Sequence, residues 1–210
     1  MNITMIGATE PFARGFADWA LEQGHVLTVV GFTDDRGQRF AADRRGSSIG
    51  VGPAEPLRDD VIVLALPYVC VRPVLDHYAG QIDGKIVIDL VNAVDLQTRK
   101  PLRPKAGSVA QEIAEARPRA KVVKAFSPRF ASPTAVAQGH EQTRDVSVAA
   151  DDEQAKDLVI RLFDEGGLHP IDAGSLDDVS ELERRGYIVF TGQQPPADSF
   201  GSGEKAEASG

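Results

Sequence analysis

The chain has 210 residues, 42% hydrophobic and 26% charged, which suits one well-buried globular domain with a tail and leaves too little for two full domains. A formal net charge of -8 and a pI near 5.0 exclude a general nucleic-acid binder, which needs excess Lys and Arg on one face. The N-terminus shows no basic segment leading into an apolar run, and no apolar stretch approaches the ~18 residues that span a bilayer. The expectation is a cytoplasmic protein whose partners are small molecules or proteins, a homodimer partner included, and neither nucleic acid nor membrane. Cys70 is the single cysteine, so an intrachain disulfide and a thiolate metal cage are both excluded and a buried structural thiol is expected. His25, His77, His140 and His169 show no metal-ligand spacing, and no metal is expected.

In chain order, Ile3, Met5 and Ile6 form a short apolar run that stops at Gly7. A helical pattern follows to Gln23, Gly24 ends it, and residues 26–30 form a second apolar run. Residues 33–46 set charges around Phe40, Ala41 and Ala42, predicting a short amphipathic surface helix, and a weak strand follows at 48–51. Pro53 and Pro56 break the chain. Residues 61–66 are apolar at every position, the mark of a central parallel strand buried on both faces. A helix is predicted over 71–78, a strand over 85–90, a helix capped by Ser108 and ending before Pro118, and a strand over 121–126. A further strand is predicted at 146–150, then a helix capped by Asp151 or Asp152 with Ala155, Leu158, Val159, Leu162 and Phe163 on its apolar face. Gly166 and Gly167 end it before a last short strand at 168–171. Alternating strands and helices imply an α/β fold, a doubly wound parallel sheet with helices on both faces, over residues 1–176. Residues 177–192 form a short extension, and residues 193–210, with almost nothing to bury, are expected to be disordered.

The opening strand-turn-helix-strand unit is the place where a helix N-terminus is aimed at a phosphate. A dinucleotide turn wants glycines for the tight bend, for backbone contact with the pyrophosphate and for close helix packing. The three places hold Ala8, Glu10 and Ala13. Alanine at the third is commonly accepted, whereas Glu10 sets bulk and negative charge where a pyrophosphate would lie.

Several stretches taken together resemble the NADP oxidoreductases that depend on coenzyme F-420. They are Ile6-Gly7-Ala8-Thr9 with Arg14-Gly15-Phe16-Ala17 and Gly24-His25; Val63-Leu64-Ala65-Leu66-Pro67-Tyr68; Val87-Ile88-Asp89-Leu90-Val91-Asn92; Val122-Val123-Lys124-Ala125-Phe126; and Leu168-His169-Pro170-Ile171-Asp172-Ala173-Gly174. Their shared order covers residues 2–176. The resemblance implies a Rossmann-like NAD(P)-binding fold with NADP(H) and F-420 as cofactors. Where the family sets an arginine against the 2′-phosphate, this chain has Phe32 and Thr33. Arg36 or Arg39 reaches a 2′-phosphate from the next turn or is a solvated helix charge, and Asp34 and Asp35 instead suit a ribose diol. The family's C-terminal helical segment helps form the dimer and the deazaflavin site, and here residues 176–191 are short.

Hydride transfer requires two rings held face to face with water excluded, and no strong acid or base from the protein. Candidate cofactor-binding residues therefore sit at the carboxyl ends of strands. They are Gly7, Ala8, Thr9, Glu10 and Ala13; Phe32, Thr33 and Arg36; Leu66, Pro67 and Tyr68; Asn92, after Leu90 and Val91; and Phe126 with Ser127. Pro67 turns the chain over an adenosine or ribose, and Asn92 offers an amide to a carboxamide or ring carbonyl. Tyr68 and His77 are either proton donors or packing residues. Residues 98–107 carry Arg99, Lys100, Arg103 and Lys105 in an acidic protein, a loop that either attracts an anionic ligand, such as the phosphate or polyglutamate arm of a deazaflavin, or serves solubility. Two functions follow: an oxidoreductase moving hydride between a nicotinamide or deazaflavin and a small molecule, or, from Ala8, Glu10 and Phe32, a Rossmann-fold protein that has lost the dinucleotide and acts in binding, regulation or assembly.

Overall fold

The structure is a computed structural model that describes residues 1–7, 11–44, 46, 48–131, 144–196 and 199–200. Eight strands form one sheet: β1 (Asn2–Ile6), β2 (Val26–Val30), β3 (Ser48–Val51), β4 (Val61–Leu64), β5 (Ile86–Asp89), β6 (Lys121–Phe126), β7 (Asp145–Ala150) and β8 (His169–Asp172). Their order is β3-β2-β1-β4-β5-β6-β7-β8, so the chain starts in the middle, winds outward one way to β3 and then the other way from β4. The six strands β1 to β6 are parallel. The sequence reading of an α/β doubly wound sheet is thus correct, with one change at the far edge. β7 runs antiparallel to β6, pairing Val123 with Ala150 and Phe126 with Ser147, and β8 follows parallel to β7. Both faces of β7 are buried, so its apolar pattern carries no signal of direction.

Seven helices cover the sheet among the described residues: α1 (Pro11–Glu22), α2 (Asp34–Ala42), α3 (Val71–His77), α4 (Val109–Ala116), α5 (Pro128–Ala131), α6 (Glu153–Glu165) and α7 (Ser180–Thr191). Side-chain caps start several of them as the sequence predicts. Ser108 Oγ accepts from Gln111 N–H at 3.1 Å, and Asp152 Oδ1 accepts from Ala155 N–H at 2.8 Å.

One face of the sheet packs Ile3, Met5, Leu27, Val63 and Val123 against α1, α5 and α6. There Trp19 is the hub: its ring lies 5.5 Å from Phe16 and 5.3 Å from Phe163, and its Nε1–H donates to Gly166 O at 3.0 Å. The other face packs Ile62, Leu64, Val87 and Val122 against α3, α4 and α7. Cys70, expected to be buried, is half-buried in the short 3-10 turn Tyr68–Cys70, against this second core. In the polar tail, 197–198 and 201–210 lie outside the described residues, while Ser199 is buried and the Phe200 ring lies 5.8 Å from that of Tyr187. Among the described residues no helix is long and apolar enough to cross a membrane.

Candidate functional site

The direction of winding reverses between β1 and β4, and in open sheets of this kind ligands bind outside the carboxyl ends of the strands at that reversal. Gly7 ends β1 there with φ +103°, a conformation that side chains resist. A Cβ on Gly7 would meet Ala65 O at 2.2 Å, so glycine alone lets β1 and β4 turn away from each other this closely. Ala8, Thr9 and Glu10 lie outside the described residues. Ala13, in the first turn of α1, is fully buried against the sheet, as the third position of such a turn requires.

Beside this point β2 ends at buried Gly31 and half-buried Phe32. Thr33 caps α2, its Oγ1 accepting from Arg36 N–H at 3.4 Å. The two arginines weighed for a 2′-phosphate now separate. Arg39 is paired with Asp35 at 2.9 Å, which also occupies one carboxylate considered for a ribose diol. The exposed Arg36 side chain has no ion-pair or hydrogen-bond partner among the described residues.

At the tips of β4 and β5, Leu66, Pro67 and Asn92 come together with Ala65, Leu90, Val94, Leu96 and Phe190 of α7 around a hollow of about 20 Å³. That space holds about one water molecule. Helix α7 closes it, crossing so near that a Cβ on Gly186 would lie 2.0 Å from Asn92 Oδ1 and 3.5 Å from the Phe126 ring. Asn92 and Phe126 are accordingly buried. Ser127 is buried too, its Oγ accepting from Arg129 N–H at 3.3 Å at the start of α5. These tips were expected to face a ligand; what they face in this structure is α7.

Tyr68 leaves this group, donating its phenolic proton to Glu112 Oε2 at 2.8 Å. Burial, reinforced by the Glu112 carboxylate, holds the phenol far above its ordinary value. His77 Nε2 is 2.8 Å from Pro53 O. Both residues therefore bridge elements, the packing reading of the two. The basic loop is folded rather than extended: Val94 bridges Pro101, Asp95 Oδ1 accepts from Gln97 and Thr98 N–H at 2.9 Å, and Arg99 takes a positive φ of 55°. Tyr187 of α7 donates to Arg99 O at 2.9 Å. The side chains of Arg99, Lys100, Arg103 and Lys105 are exposed and carry no ion pair among the described residues.

Beneath the strand tips lies a group that the sequence reading missed. Lys124 Nζ is 3.0 Å from Asp89 Oδ2, 2.6 Å from Val91 O and 3.5 Å from Glu183 Oε1. Glu183 Oε1 also accepts from Val109 N–H at the start of α4, at 2.8 Å. Three ionisable groups, all shut off from solvent, thus tie α7 to β5, β6 and α4 and hold the turn at Val91. The available signal was a charge set among apolar strand residues, Asp89 after Ile86-Val87-Ile88 and Lys124 between Val123 and Ala125, which requires a buried partner.

Comparison with known proteins agrees with this architecture. No protein-family model matches the chain. Over 129 residues it is 30% identical to the F-420-dependent NADP reductase of Methanocaldococcus jannaschii, a match covering 59% of this chain and 57% of the relative. The chain resembles F-420-dependent NADP reductases. It spans little more than half the length of this curated relative. Among solved structures, a Sinorhizobium meliloti protein of unassigned function superposes with a TM-score of 0.67 at 25% identity, covering 85% of this chain and 87% of that one. An Arthrobacter protein provisionally assigned as an F-420-dependent NADP reductase gives 0.69 at 20% identity, covering 86% and 88%. A Myxococcus stipitatus imine reductase in complex with NAD+ shares the fold at a TM-score of 0.61 and 17% identity, over 87% of this chain and 58% of that one.

Proposed function

We propose that the chain is an oxidoreductase that binds NADP(H) and exchanges hydride with a deazaflavin of the F-420 type or with another small molecule. The 30% identity to the Methanocaldococcus jannaschii reductase carries this reading. The geometry supports it at the phosphate end. Gly7 leaves β1 at the reversal of winding, and Arg36, without a side-chain partner among the described residues, stands in the first turn of α2 after the neighbouring strand, suited to a 2′-phosphate. A bound nicotinamide supplies the hydride; the protein's own residues grip the phosphates, orient the ring and exclude water. The hollow of about 20 Å³ does not admit a nicotinamide ring while Phe190 lines it, so turnover under this reading includes a displacement of α7 from the strand tips.

Calorimetric titration with NADPH, NADH and reduced F-420 tests the proposal. The expected result is micromolar binding of NADPH and weaker binding of NADH; silence with all three ligands refutes it. In a Glu10→Gly variant NADPH binds more tightly, because a carboxylate ~4 Å from a phosphate opposes binding by roughly 1 to 4 kcal/mol.

A further inference from the structure

A second cavity lies away from the strand tips. It is a groove of about 620 Å³ between α3 and α4, within the usual range for small-molecule sites. Of the candidate cofactor-binding residues Tyr68 lines it, its hydroxyl turned to Glu112, while Gly7, Phe32, Arg36 and Asn92 do not. Its floor is apolar, built from Val71, Leu75 and Ala116, with the Tyr68 ring as one wall. Val69 stands at the rim with 70% of its surface exposed.

The charges around the groove are unequal in freedom. Arg72 is paired with Asp76 at 3.0 Å. Glu112 has both oxygens engaged, one accepting from the Tyr68 hydroxyl and the other from Lys105 N–H. Both donors are neutral, so Glu112 keeps its charge; the Lys105 ammonium and the Glu115 carboxylate, which also line the groove, have no partner among the described residues. Lys105 is the last of four cations in the 98–107 loop that carry no ion pair among the described residues, and of the four it is the one that lines the groove.

We propose that this groove binds an amphipathic monoanion, a small molecule with an aromatic or acyl body and one carboxylate, sulfonate or phosphate, with its apolar part on Val69, Val71 and Leu75 and its acid group at Lys105. The Glu112 and Glu115 carboxylates on the same lining repel a second negative charge on the ligand, which restricts it to one acid group. This site stands apart from the dinucleotide reading and does not rest on it.

Fluorescence titration of the full chain with anilinonaphthalene sulfonate at low salt, with and without saturating NADPH, tests the assignment. One dye binds per chain, and NADPH leaves its affinity unchanged. Lys105→Ser weakens binding about tenfold and makes it nearly independent of salt. Val69→Asp removes binding, and Glu115→Gln strengthens it. All three positions are exposed, so the variants keep the fold. The assignment is overturned by the absence of saturable binding, by binding that Lys105→Ser and Val69→Asp leave unchanged, or by displacement of the dye by NADPH. Calorimetry with NADPH alone reads the proposed function separately, so the two can fail independently.

Discussion

Replacing Glu183 by Gln tests whether the buried group under α7 carries one negative charge too many. With Asp89, Lys124 and Glu183 all ionised, the cluster holds two carboxylates and one ammonium out of reach of water. Burial pushes the Glu183 carboxyl up; the Lys124 charge opposes this, the Asp89 charge adds to it, and the result is about 7 against an ordinary value of 4.5. A rise of this size corresponds to a proton held more tightly in the folded state by about 3 kcal/mol. Because the folded value lies above the unfolded one, the stability contributed by that proton is complete below about pH 4.5 and is lost as pH rises through about 7. Glutamine imitates the protonated acid: its carbonyl still accepts from Val109 N–H, and its amide replaces Oε2, which has no hydrogen-bond partner among the described residues. Urea unfolding at pH 5, 6, 7 and 8 should show the two proteins alike at pH 5 and the variant ahead by up to about 3 kcal/mol at pH 8, or about 6 to 12 °C in Tm. A difference that does not change with pH refutes the reasoning, as does a variant less stable than the parent at pH 8.

Removing the cation instead acts in the opposite sense. Lys124→Met leaves Asp89 and Glu183 buried together and costs about 3 to 5 kcal/mol in urea unfolding, more at pH 8 than at pH 5. Gly7→Ala combines a positive φ with a 2.2 Å approach to Ala65 O, and costs about 2 to 4 kcal/mol by the same measurement. Arg36→Ser, at an exposed side chain with no partner among the described residues, should leave stability and NADH binding unchanged while weakening NADPH about tenfold in calorimetry. Gly186→Ala forces α7 off Asn92, costs about 1 to 3 kcal/mol, and lowers hydrogen-exchange protection in α7 before it does so in β5.

The central strands were legible because a run such as 61–66, apolar at every position, has one comfortable place, between two helical layers. Caps were legible for the same local reason: Ser108 and Asp152 reach amides three residues away whatever the rest of the chain does. At the candidate site the sequence named which residues stand at the strand tips, since tips follow from strand ends. It did not separate Arg36 from Arg39, because the pairing of Arg39 with Asp35 depends on one turn of α2 being formed. Nor did it show that Tyr68 turns to Glu112, 44 positions later.

Amino-acid order by itself determined the alternation of elements, the buried character of the sheet and the glycine at the end of β1, because each depends on neighbours within a few residues. Only the tertiary structure decided the reversal of β7, the placing of α7 across the strand tips and the meeting of Asp89, Lys124 and Glu183. The buried charged group alone joins residues 35 to 94 positions apart in sequence, and no local pattern records which distant side chain fills a given space or answers a given charge.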